Sequence, residues 1–165
     1  MASLILTVIG PDRPGLVRAL SAAVAAQGGS WLESRMARLA GQFAGIVMVE
    51  APEALLDDLH ALESEGLRVI AHGAAGETVA PGTRLLLEVV GNDRPGIVRD
   101  VAQVLADTGI NIEELTTGVD SGSFSGEAMF RANAVLRAPD EAAVEAMRAG
   151  LEALGNELMV DIRPA

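Results

Sequence analysis

Apolar positions along this 165-residue chain form short strand-like runs and longer helix-like stripes, and the two alternate in the same order twice. Leu4-Ile5-Leu6-Thr7-Val8-Ile9 reads as a buried strand. After a Gly/Pro turn, Leu16, Leu20, Ala23 and Val24 recur at helical spacing, and Gly28-Gly29 ends the stripe. Pro14 is predicted as the first helical residue, because its fixed φ and missing N–H suit that place. Strands follow from about Ser30 to Ala40 and from Phe43 to Glu50, joined by a turn at Gly41-Gln42. Pro52 opens a second helix with Leu55, Leu59 and Leu62 inward, Gly66 ends it, and Leu67-Arg68-Val69-Ile70 closes the unit.

The second half repeats the pattern. A strand from Leu85 to Val90 leads to a helix opened by Pro95, with Ile97, Val101, Val104 and Leu105 on its apolar face. Strands are predicted from Ile110 to about Asp120 and from Glu127 to Arg137, separated by a longer loop, Ser121 to Gly126. Pro139-Asp140 opens the last helix, with Val144, Met147 and Leu151 inward, and Leu158 to Ile162 closes the copy. The segment Gly10-Pro11-Asp12-Arg13-Pro14-Gly15-Leu16-Val17-Arg18 returns 81 positions later as Gly91-Asn92-Asp93-Arg94-Pro95-Gly96-Ile97-Val98-Arg99, with seven of nine residues identical. Repetition at that period marks two copies of one unit. The expected domains are 1–73 and 84–165, with a Gly/Ala/Pro linker at 74–83.

Each copy has the order βαββαβ. Two right-handed crossovers in that order predict an α+β, ferredoxin-like sandwich: a four-stranded antiparallel sheet with both helices on one face. The two sandwiches are expected to pack against each other. The runs Phe43–Glu50 and Ala128–Val135 are apolar at adjacent as well as alternate positions, so the sheet face away from the helices is expected to be partly covered. The second strand of each unit belongs at a sheet edge, where unpaired backbone groups invite pairing with another unit.

Composition narrows the function classes. Half the residues are apolar, so a packed core is expected. There is no cysteine, which removes disulfides, thiolate metal sites and cysteine nucleophiles. Net charge is −11, all twelve basic residues are arginine, and neither copy is basic. A nucleic-acid binder needs a positive stripe to displace counterions, so direct nucleic-acid binding is disfavoured. No apolar run has the length of a membrane span, and a cytoplasmic protein is expected.

The repeated turn is the leading candidate for a ligand site. A Gly/Pro turn entering a helix presents backbone N–H groups without intrahelical partners. Gly15 and Gly96 lack Cβ and would let a ligand approach the main chain. The helix start, with Arg13 or Arg94 nearby, favours a carboxylate. The competing reading is that Asp12 and Asp93 cap or brace the turn and that the arginines are solvated.

A strand, an Asp-Arg-Pro-Gly turn, and a helix ending in Gly109-Ile110-Asn111-Ile112, set within βαββαβ, resemble the ACT domain, a regulatory module that binds amino acids between paired modules. More specifically, Gly28-Gly29-Ser30-Trp31-Leu32-Glu33-Ser34-Arg35-Met36-Ala37 is similar to the first module of the glycine cleavage system transcriptional repressor family. Asn111-Ile112-Glu113-Glu114-Leu115-Thr116-Thr117 and Ser125-Gly126-Glu127-Ala128-Met129-Phe130-Arg131-Ala132 are similar to its second module. The resemblance implies contacts from the polar residue two before the turn's proline, here Asp12 and Asp93, and from the residue opening the neighbouring module's second strand, here Ser30 and Asn111. It pairs Asp12 with Asn111 and Asp93 with Ser30. An Asp can hold an ammonium but cannot donate to a carboxylate, and Ser30 has less reach than Asn111, so the two sites should differ. Asp12, Gly15 and Asn111 form the preferred site.

What this implies is a non-catalytic, amino-acid-sensing regulator without cofactor. It would bind glycine or another small amino acid and control glycine cleavage genes through a protein partner such as a DNA-binding activator. Acting instead as a regulatory subunit on a metabolic enzyme is the alternative. The exposed edges leave room for a homodimer. Catalysis finds little support. His60 and His72 have no second ligand at metal spacing. Phe124 stands where a nucleophile elbow needs serine, and the absence of lysine excludes a Gly-Lys-Ser/Thr phosphate loop. An acylphosphatase-like site would need an arginine cradle and a nearby amide. Only Asn92, in one copy, stands beside such a turn. Glu113 and Glu114 are strand neighbours on opposite faces, and Trp31 reads as a packing residue at a joint between modules.

Overall fold

The computed structural model describes residues 1–76, 78–121, 126–155 and 157–165. The chain divides into two compact units, Met1–Thr78 and Val79–Ala165. In the first, β1 (Ala2–Pro11), α1 (Leu16–Ala26), β2 (Ser30–Leu39), β3 (Gln42–Ala51), α2 (Leu55–Ala61, continued as a 3-10 turn Leu62–Glu65) and β4 (Arg68–Gly73) follow the βαββαβ order. In the second, β5 (Thr83–Asn92), α3 (Ile97–Asp107), β6 (Asn111–Ser121), β7 (Ala128–Ala138), α4 (Glu141–Glu152) and β8 (Met159–Pro164) do the same. The sheets run β2-β3-β1-β4 and β6-β7-β5-β8, antiparallel throughout. The long loop expected from Ser121 to Gly126 has residues 122–125 outside the described set.

Alternation builds each core. Leu6 and Val8 of β1 and Val47, Val49 and Ala51 of β3 point to the helices, where Leu16, Leu20 and Val24 of α1 and Leu55 and Leu59 of α2 meet them. The second unit repeats this with Leu85, Leu87 and Val89 against Ile97, Val101, Leu105, Met147 and Leu151. Trp31 packs against the first unit's own core, with its indole N–H donated to Ser34 Oγ at 3.3 Å.

The outer sheet faces differ between units. Ile9, Ile46 and Ile70 on the first are each about half exposed, so apolar side chains reach its surface. On the second, Arg131 pairs with Glu88 at 2.9 Å and Arg163 with Asp161 at 3.5 Å.

Local corrections have clear causes. The first helix of each unit starts two residues after its proline, at Leu16 and Ile97, because Gly15 (φ +91°) and Gly96 (φ +83°) sit in the left-handed region at the N-cap. A left-handed residue cannot continue a right-handed helix, so Pro14 and Pro95 belong to the turn. Between β2 and β3 the turn is Ala40-Gly41, both with positive φ, and Gln42 already pairs with Leu39. That is a two-residue hairpin whose twist matches its strands. Both edge strands carry a bulge, at Leu32 and Glu113. The bulge interrupts alternation at Glu113, which takes Arg137 Nε at 2.6 Å and Arg84 Nε at 3.1 Å, so strict opposition of Glu113 and Glu114 does not apply.

Candidate functional site

The two turns have one backbone and two electrostatic settings. In the first unit Arg38, at the far end of β2, donates from Nε to Asp12 Oδ2 at 2.7 Å. Arg13 donates to the Glu65 carbonyl at 2.7 Å, with the Glu65 carboxylate 3.5 Å away. Both charged residues of the first turn are therefore engaged within their own unit. Neither α1 nor α3 has a side-chain cap hydrogen bond, so Asp12 and Asp93 do not cap the helices.

In the second unit the position equivalent to Arg38 is Val119. Both are 81 residues apart, and each pairs in its ladder with a phenylalanine, Phe43 or Phe130. Valine offers no cation, and among the described residues no side chain pairs with the Asp93 carboxylate; its backbone N–H is donated to the Ala128 carbonyl at 2.8 Å. A second exchange lies in the helix. Asp100 stands where the first unit has Ala19, and it collects Arg94 at 2.7 Å and Arg99 at 2.9 Å. The Arg94 guanidinium first, then Arg99, holds the Asp100 carboxyl below the ordinary carboxylate range. Arg99 folds back over Gly96, where a Cβ would lie 3.0 Å from its Nη2.

These exchanges leave a cavity of about 280 Å³ against the second turn, at the small end of ligand pockets, which run roughly 300–1,000 Å³. Its floor and walls include Phe130, Ile97 and Val119. Thr117 and Gly118 of β6 line it where the first unit has the bulkier Met36 and Ala37. Asp93 supplies a negative group, and Arg94 and Arg99 a positive pair that Asp100 only half neutralises. Opposite charges on a small apolar cavity suit a zwitterion.

The other sequence-predicted residues lie elsewhere within their units. Asn92 donates from Nδ2 to Glu157 Oε2 and is not among the residues lining the cavity. Ser30 and Asn111 are exposed at the first positions of β2 and β6. Thr117–Val119 lie at the other end of β6, roughly 20 Å from Asn111 at a strand rise of about 3.3 Å per residue. Arg38, Asp100, Val119 and Phe130 were not singled out from sequence as site residues. The 81-residue offset, applied beyond the turn itself, carries the signal for Arg38 against Val119. Among the described residues no group of three His, Asp or Glu side chains could hold a metal. None of their helices is long and apolar enough to cross a membrane.

Fold and site together define a tandem ferredoxin-like α+β protein with a small cavity at a strand–turn–helix corner. ACT-domain models match residues 2–72 and 85–149, and the chain belongs to the ACT-domain family as a tandem pair. ACT domains serve amino-acid-sensing regulation. The chain is similar over 99% of its length to the structure of an unknown protein from Galdieria sulphuraria, of which 98% is covered, at 30% identity and a TM-score of 0.84. It shares its fold with a protein provisionally named a glycine cleavage system transcriptional repressor, at 16% identity and a TM-score of 0.67, with 99% of this chain and 98% of that one covered. No curated protein sequence matches the chain.

Proposed function

We propose that this protein is a non-catalytic regulator that binds a small amino acid at the second module's turn and passes the binding to a protein partner. The observation that carries this reading is the cavity beside Asp93, with a free carboxylate, two guanidiniums and an apolar floor in an ACT domain. An ammonium would pair with Asp93, and a carboxylate would use donors that Arg94 and Arg99 retain beyond their bonds to Asp100. Ligand would act by differential affinity for two states of the protein, one of which favours the partner.

The regulated process, transcription of glycine cleavage genes, is carried over from the fold neighbour of that name and from the motifs of both copies. The net charge of −11 favours a protein over DNA as the direct target. Calorimetry against glycine, alanine, serine and valine tests the ligand half. Saturable heat from at least one is expected, and silence from all four at millimolar concentration sinks it. Affinity capture from lysate tests the partner half: a DNA-binding protein is expected, and recovery of a metabolic enzyme alone would replace the transcriptional role with an enzyme-regulating one.

A further inference from the structure

The two turns are not two copies of one site in different occupancy. We propose that the residue at the far end of the edge strand, Arg38 in one copy and Val119 in the other, decides which copy can bind, leaving one competent amino-acid site per chain. This assignment rests on the amino-acid-binding reading above and names the residue that controls it.

In the first unit the Arg38 guanidinium already holds the Asp12 carboxylate at 2.7 Å, the position an incoming ammonium would need. A free amino acid would have to displace a tethered cation, whose effective concentration at the carboxylate exceeds that of a dissolved ligand. In the second unit Val119 removes the cation, and Thr117-Gly118 replace the larger Met36-Ala37 beside it. Met36 packs against the first unit's core, whereas Thr117 and Gly118 line open space. The same exchange thus frees the Asp93 carboxylate and opens the volume next to it. The helix completes the difference. Asp100 gathers Arg94 and Arg99 at the cavity, while in the first unit Ala19 gathers nothing and Arg13 turns to Glu65. The ligand class is a free α-amino acid: ammonium toward Asp93, carboxylate toward the arginine pair, and side chain over Phe130.

The test is calorimetric titration of the full chain with the tightest member of the amino-acid panel. Wild type is expected to bind with a stoichiometry near one. Val119→Arg is expected to lose at least ten-fold in affinity at an unchanged melting temperature, because the introduced guanidinium pairs with Asp93. Met159→Arg, which adds the same charge at the exposed start of β8 away from the cavity lining, is expected to bind within about three-fold of wild type. In the other copy, Met36→Thr/Ala37→Gly/Arg38→Val is expected to raise the stoichiometry toward two. A folded Val119→Arg variant with wild-type affinity overturns the assignment while leaving amino-acid binding standing. So does equal loss in Met159→Arg, or two equivalent sites in the wild type. A wild type that binds no member of the panel fails the amino-acid reading and this assignment together.

Discussion

Arg38 and Val119 show how much one side chain can change on a repeated backbone. Turn, glycine conformation and ladder partner are the same in both copies, yet one carboxylate is neutralised from within its unit and the other is not. The shared glycines are required by conformation. A Cβ at Gly15 would meet nothing within 4 Å, so space is no obstacle there and only the φ of +91° selects glycine. A left-handed L-residue costs roughly 1–2 kcal/mol. Gly15→Ala is therefore expected to lower stability by about 1 kcal/mol in urea denaturation and to leave ligand affinity unchanged. Gly96→Ala carries the same backbone strain and also displaces the Arg99 guanidinium, so it should weaken binding as well; equal affinity in the two variants would contradict a role for Arg99.

Among the elements, the first helices of the two units differ most in their opening turns. α1 has no acidic residue there, whereas α3 has Asp100, which complements the positive end of the helix and two guanidiniums. Because the folded protein lowers this carboxyl below its ordinary value, Asp100 stabilises the fold above the unfolded pKa of about 3.9. That contribution disappears as pH falls through the lower folded value. Wild type is thus expected to exceed Asp100→Asn in denaturation midpoint by a constant margin near neutrality, and the margin should close on acidification below pH 4. A margin that does not narrow at all on acidification would show that Asp100 acts through something other than its charge. The last helix needs no such arrangement: Asp140 caps it by accepting the Ala143 N–H at 2.8 Å.

For the whole molecule, net charge bears on the kind of partner proposed above. At −11, without lysine and with most arginines held in ion pairs, the chain is poorly suited to release counterions from DNA. In a mobility-shift assay at about 150 mM salt the purified chain alone is expected to leave duplex DNA of a glycine cleavage promoter unretarded. A salt-sensitive shift by the chain alone would overturn indirect action. What the sequence by itself determined is the duplication, the βαββαβ order, the edge placement of the second strands and most of the helix side of both cores. These depend on periodicity and turn chemistry, which are local and were written twice. It also placed attention on the turns. Which turn is free was decided only by tertiary structure, because the answer lies in a meeting across 26 residues between Asp12 and Arg38, and in the absence of that meeting between Asp93 and Val119. Periodicity reports which face a residue occupies; whether a distant cation reaches a carboxylate depends on strand register and the bulge that sets it.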